Sequence, residues 1–224
     1  MSRAYRDACG TAHSLDLIGE RWALLIMREL LLGPRRFGDL RADLPGLSAN
    51  VLTQRLEGLE ASGIVRRRRL PLPAAIQVYE LTEWGLEAEP IILALGRWGA
   101  RSPIHDPSMP LSAVSMMLSL RAMFDPEHAE GISVRIAFRL RADLYFASIR
   151  DRILIAGHGR SAATDAIVSG SPGAIVGVIY GLQRLEDAEK TGTVEISGDR
   201  AAFAEFCVPF DLPPKACPGG AAGG

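Results

Sequence analysis

Apolar positions along this chain switch repeatedly between a period near 3.6 and a period of two, and each switch predicts a change of element. Over residues 13–32, HSLDLIGERWALLIMRELLL, Leu15, Ile18, Trp22, Leu25 and Ile26 recur close to helical spacing, while Leu24, Leu30 and Leu31 widen the stripe. One helix buried on most of its circumference is predicted, stopped by Gly33-Pro34, with Trp22 in a core or an interface. Phe37, Leu40 and Leu44 then mark one face of a two-turn helix, and Pro45-Gly46 marks a turn. Ser48 is a good N-cap for the next helix, because its hydroxyl can accept from a free first-turn amide. That helix places Leu52, Leu56 and Leu59 on one side and Asn50, Thr53, Gln54 and Glu57 on the other.

Ile64-Val65 open a strand that runs into Arg66, Arg67, Arg68 and Arg69; after Pro71 and Pro73, the residues Ile76, Val78, Tyr79 and Leu81 form the return strand. The result is a hairpin with a proline-bearing tip. The segment EWGLEAEPIILALGRWGARSP predicts a helix whose Leu86, Ile91, Ile92, Leu95 and Trp98 exceed what a small domain can bury alone. Association is its expected use, and Pro90 is a kink site within it.

Residues 102–110 read as a proline-rich linker, followed by a helix from Leu111 to Phe124 that carries Met116, Met117 and Met123. From Ile132 the period becomes two. SVRIAFRLR, DLYFASIR and RILIAGHG, with a turn at Arg150-Asp151, predict an antiparallel meander; Ala163 to Ser169 is a fourth strand. A helix from Ser171-Pro172, a fifth strand from Gly192 to Gly198 and a last helix with Phe203 and Phe206 complete the pattern. The tail, residues 211–224, is Pro/Gly-rich and is expected to be disordered.

Composition adds little to this picture, but charge adds something. The 224 residues are 48% hydrophobic and 23% charged with a net charge of −1, so any nucleic-acid surface must be a local patch. The first 105 residues carry 14 Arg against 12 Asp and Glu, a net +2, and the remainder carry a net −3. Cys9, Cys207 and Cys217 are odd in number and scattered, implying neither a disulfide framework nor a zinc ribbon. With no apolar leader segment and no run near the roughly 20 residues that a membrane span needs, a cytoplasmic protein without membrane contact is expected.

Two short helices joined by a turn and followed by an arginine-bearing hairpin form a winged helix-turn-helix. Asn50 and Gln54 can pair bidentately with adenine and Thr53 can touch a thymine methyl, although a plain solvated face is the alternative reading. Arg66 to Arg69 would neutralise backbone phosphates, but side chains alternate along a strand and at most two reach one phosphate row. Arg35 and Arg36 flank the first helix of the pair, and Ser48 and Arg55 belong to the second, so these four join the candidate DNA contacts.

The strings GERWALLIMRELLLGPRRFGDL, LSANVLTQRLEGLEASGIVRR and VYELTEWG resemble the HxlR-type branch of bacterial winged-helix transcriptional regulators over about residues 9–101. The resemblance implies a dimer built by the first and last helices of this domain, operator reading by the helix from Ser48, and a wing carrying Arg66 to Arg69. It also matches Cys9 to an N-terminal cysteine that senses electrophiles or oxidants in some members. Leu70 to Ala75 depart from the family pattern by making the wing tip apolar.

Residues 111–210 resemble the sterol carrier protein type 2 family on DAIVSGSPGAIVGVIYG and TGTVEISGDRAAFAEF. An α+β domain with an antiparallel sheet and an apolar ligand between sheet and helices is what this likeness implies. Phe138, Phe146, Ile155, Ile175, Ile179, Phe203 and Phe206 are the candidate lining residues, with ordinary core as their other reading.

His13, His105, His128 and His158 stand apart from other metal-ligating residues, so neither a metal nor a cofactor is expected. There is no GxSxG elbow. Gly157, Gly159 and Ala162 make a GxGxxA, but a strand-like segment rather than a helix follows, which favours a plain strand connection. The expectation is therefore a non-enzymatic α+β regulator that binds operator DNA as a homodimer and answers to a small apolar ligand. A lipid or acyl-ligand carrier using its N-terminal domain only to dimerise is one alternative, and a thiol switch at Cys9 is another.

Overall fold

A computed structural model describes residues 4–71, 76–161 and 163–217. The chain divides into two compact units, Met1–Ile92 and Leu93–Gly224, so the boundary falls nine residues before the linker expected at 102–110.

In the first unit, α1 (Gly10–Ile18) and α2 (Ala23–Leu30) replace the single helix expected over 13–32. Gly19 closes α1 by donating to the Leu15 carbonyl, and Trp22 adopts φ 82°, a left-handed conformation that no continuous helix contains. Ala23, Ile26, Met27 and Leu30 of α2 are buried, whereas Leu15 and Leu25 remain exposed. Periodicity could not show this break, because the apolar stripe continues through it.

Helix α3 (Phe37–Asp43) and α4 (Ala49–Ala61) follow as predicted. The Ser48 hydroxyl accepts from the Val51 amide at 3.3 Å. At the other end Ser62 is the C-cap and Gly63 takes φ 72°; Gly63 N–H donates to the Glu60 carbonyl and Ile64 N–H to that of Leu59. These paired bonds are a Schellman closure, which a residue with a Cβ would strain. Leu52, Leu56 and Leu59 are fully buried, each contributing roughly 1.5–3 kcal/mol by transfer from water.

Strands β1 (Val65–Arg69) and β2 (Gln77–Leu81) form an antiparallel pair in which Arg66 faces Glu80 and Arg67 faces Tyr79. Arg35 and Tyr79 exchange backbone bonds at 2.9 and 2.8 Å, tying the entry of α3 to the hairpin. Leu70 N–H donates to the Ile76 carbonyl; residues 72–75, including the tip residue Pro73, lie outside the described residues. The helix expected after Thr82 is also divided, into α5 (Glu83–Leu86) and α6 (Glu89–Ala100), with Pro90 in the opening turn of α6 rather than at a kink. Gly85 sits so close to the Ile64 carbonyl that an added Cβ would approach it to 2.3 Å.

The second unit contains α7 (Ala113–Met123), β3 (Val134–Leu140), β4 (Asp143–Arg150), β5 (Ile153–His158), β6 (Ala166–Gly170), α8 (Pro172–Ile179), α9 (Leu185–Lys190), β7 (Val194–Gly198) and α10 (Arg200–Cys207). Among the described residues its strands form one sheet in the order β5-β4-β3-β6-β7. The expected antiparallel sheet is corrected to a mixed one, because β6 runs parallel to β3. After β5 the chain recrosses the sheet and enters β6 beside the start of β3, where Asp165 N–H donates to the Arg135 carbonyl and Arg135 N–H to the Asp165 carboxylate. Alternation marks a strand but does not say beside which neighbour it lies.

Val134, Ile136, Phe138, Leu140, Tyr145, Ala147, Ile149 and Val168 point to one buried side of the sheet, against which α7, α8 and α10 pack. The β4–β5 turn places Asp151 and Arg152 at φ 51° and 62°, matching a two-residue hairpin. Gly181 at φ 66° ends the helix expected to run on to Leu185, and α9 follows separately. The tail expected to be disordered is anchored over its described part: Lys215 Nζ donates to the carbonyls of Ala100 and Ser102 at 3.0 Å, and Ala216 N–H to that of Arg101. Residues 218–224 lie outside the described residues.

Candidate nucleic-acid interface

The three leucines that bury one side of α4 leave Asn50, Thr53, Gln54 and Glu57 exposed on the other. Asn50, Thr53 and Gln54 make no intramolecular side-chain hydrogen bond among the described residues. Their donors and acceptors face water and are available to a base edge without first breaking an internal bond. Ser48 is exposed at the start of the same helix, but its oxygen already serves the cap.

The wing sorts its arginines by face. Arg66 Nε donates to Glu80 Oε1 at 2.7 Å, and Arg68 donates to Glu80 Oε2 from Nε at 3.0 Å and Nη2 at 2.9 Å. Burial pushes the Glu80 carboxyl up, but the Arg66 and Arg68 hydrogen bonds and charges together outweigh it and hold the group below the usual carboxylate range. On the opposite face Arg67 donates to Glu60 at 3.1 Å and lies over the Tyr79 ring, 5.5 Å from its centroid. All four arginines, Arg66 to Arg69, remain exposed, and Arg66, Arg67 and Arg68 are each held by a carboxylate.

The other basic candidates divide. Arg36 is exposed, its N–H donating to the Asp39 carboxylate at 3.2 Å. Arg35 is paired with Asp43 and only 14% exposed. Arg55 turns away from the polar face of α4, donating from Nε to the Arg21 carbonyl at 3.0 Å and from Nη2 to Glu20 at 2.8 Å. Glu80, Glu60, Tyr79 and Glu20 are site residues that the sequence reading did not single out. Pairing the two wing strands in register would have found Glu80; nothing local in sequence points to Glu20, which lies 35 residues from Arg55.

Cys9 is exposed immediately before α1. Its thiol lies below its ordinary pKa, chiefly through the Ala12 amide, then through the amide and hydroxyl of Thr11. Cys207 differs, since burial pushes its thiol up to about 12.

The seven residues proposed to line an apolar pocket do not converge. Phe138, Ile175, Ile179, Phe203 and Phe206 are close-packed on the helix-covered side of the sheet, with Phe206 5.9 Å from Phe138 and 6.4 Å from Phe203 between ring centroids. Phe146 pairs with Ala137 and Ile155 with Ser148, placing both on the opposite side, where Ile155 is 59% exposed. The GxGxxA segment passes from β5 through Gly159 towards β6; Ala162 lies outside the described residues. Among the described residues no group of three or more His, Cys, Asp or Glu is arranged to hold a metal ion, and no helix is long and apolar enough to cross a membrane.

A family profile described as HxlR-like helix-turn-helix matches residues 17–105. The HTH-type transcriptional regulator sll1512 of Synechocystis sp. is 40% identical over 93 residues, spanning 41% of this chain and 68% of the relative. YvaP of Bacillus subtilis, also named an HTH-type transcriptional regulator, is 40% identical over 86 residues, 38% of this chain and 79% of its own. The solved structure of the redox regulator HypR in its oxidized form shares 35% identity, covering 41% of this chain and 94% of that one with a TM-score of 0.38. These relatives are named as regulators and not as enzymes. On the identity to sll1512 and YvaP and the extent of each that is covered, this chain belongs to the HxlR-like helix-turn-helix family of transcriptional regulators.

Proposed function

We propose that the protein is a homodimeric regulator that binds operator DNA, reading bases through Asn50, Thr53 and Gln54 and gripping phosphates through Arg36 and Arg66 to Arg69. The observation that carries this reading is the unpaired polar face of α4 beside a wing whose exposed arginines are held in place by Glu80 and Glu60. Dimerisation is supported by Trp84, Leu86, Ile91, Leu95 and Trp98, which are large, apolar and exposed; Trp98 reaches 75%. Titration of a duplex selected from a random pool at increasing salt tests the reading. Log K should fall by roughly 0.9 per phosphate contact for each tenfold rise in salt, and a flat dependence would remove DNA binding.

An apolar effector belongs to the second unit in this reading, in keeping with its likeness to sterol carrier protein type 2. Support comes from the interior on the helix-covered side, where Met116, Met117 and Met123 join the phenylalanines in a deformable apolar layer. A ligand would have to open that layer. Native mass spectrometry of the purified protein should find a bound apolar molecule, and a mass equal to the bare chains would oppose it.

A second reading, a thiol switch, is favoured by the exposed Cys9 and its lowered pKa. Cys9→Ser should then abolish the change in operator affinity caused by peroxide, whereas an unchanged response would remove the switch.

A further inference from the structure

Arg55 lies on the recognition helix, yet its guanidinium is spent inside the protein. Its Nε donates to the Arg21 carbonyl at 3.0 Å and its Nη2 to Glu20 Oε2 at 2.8 Å, leaving the side chain 24% exposed. Both partners lie in the break between α1 and α2, immediately before Trp22 with its left-handed φ of 82°. A planar guanidinium bonded along two directions fixes orientation as well as distance, which an ammonium could not do. Through it, the middle of α4 is tied to a connector that leaves the helical path at the left-handed Trp22. The neighbouring Asn50, Thr53 and Gln54 have no comparable internal bonds among the described residues. The rotation and pitch of the base-reading face therefore rest on the leucines beneath it, on the Glu60–Arg67 pair near the end of the helix and on this tie at its middle.

We infer that Arg55 is a positioning residue that locks the recognition helix to the α1–α2 break, and that it is not a phosphate contact. The inference rests on the operator-binding reading given above and assigns it a supporting pair, Arg55 with Glu20.

A salt series separates positioning from contact. Binding of a fluorescent duplex, selected by the full-length protein from a random pool, would be measured for the unsubstituted chain, Arg55→Met, Glu20→Ala, the double variant and Arg67→Ala, each first checked for an intact thermal transition. Arg55→Met and Glu20→Ala should each weaken binding roughly fivefold, the scale of a hydrogen-bonded ion pair at partial exposure, with no change in the slope of log K against log salt. The double variant should lose little more than either single one, because both remove the same tie. Glu20→Ala keeps the proposal testable should Arg55→Met fail to fold. A slope shallower by about 0.9 for Arg55→Met, as expected for Arg67→Ala, together with an unaffected Glu20→Ala, would overturn the inference and make Arg55 a phosphate contact. Salt-insensitive binding by the unsubstituted chain would instead remove the operator reading, and the inference with it.

Discussion

Glu80 stands directly opposite Arg66 across the wing and accepts its Nε–H at 2.7 Å, while its second oxygen accepts from Arg68 two residues further along. One carboxylate, 12% exposed, thus holds both arginines of one face at a fixed separation. Two cations two residues apart on the same strand would otherwise repel each other.

Glu80→Gln should therefore destabilise the first unit by about 1 kcal/mol at neutral pH, a figure discounted because both arginines are substantially exposed. The Glu80 pKa is depressed on folding, so its contribution is present above the unfolded value and is lost as pH falls through the folded value. Thermal melts of both forms should differ at pH 7 and converge in strong acid. A gap that persists there would show that shape, not charge, is responsible.

Substitutions in the interface should divide by face. Arg67→Ala should weaken selected and unrelated duplexes alike and make the salt slope shallower by about 0.9. Gln54→Ala or Asn50→Ala should leave the slope unchanged and relax base preference, by roughly 1–3 kcal/mol for each bidentate pair lost. Binding titrations against single-base variants of the selected duplex read both effects.

Alkylation should separate two of the cysteines. Cys9, exposed and with a lowered pKa, should react with iodoacetamide near neutral pH; Cys207, half-buried with its pKa pushed up to about 12, should stay protected until the protein unfolds. Peptide mass spectrometry after timed quenching gives the order of modification, and early labelling of Cys207 would contradict the packing of α10.

The two sides of the second sheet should respond unequally. Phe206 has no exposed surface and contacts the rings of Phe138, Phe203 and Phe210, so Phe206→Ala should cost about 3–5 kcal/mol. Ile155→Thr on the other side should change stability by no more than about 0.5 kcal/mol, as measured by urea denaturation.

Most elements could be read in the sequence because their signals are local. The cap at Ser48, the i, i+4, i+7 leucines of α4 and the alternation of β3 each depend on residues within one or two turns of one another. The helix break at Gly19–Trp22 was hidden because its cause, a single left-handed residue, does not interrupt the apolar stripe. The candidate pocket residues follow from a family likeness and from apolar side chains, neither of which carries strand register, and it is register that puts Phe146 and Ile155 across the sheet from Phe138.

By itself, then, the sequence determined which segments are helices and strands, which face of α4 is polar and where positive charge accumulates, since these follow from the order of side chains along a backbone of known period. Tertiary structure decided what each charge does. It joined Glu80 to Arg66 and Arg68, Glu60 to Arg67, and Glu20 to Arg55 across 35 residues of chain, and it set β6 parallel to β3. Such pairings depend on which elements pack together, and the distance along the chain between two charges carries no information about the distance between them in the fold.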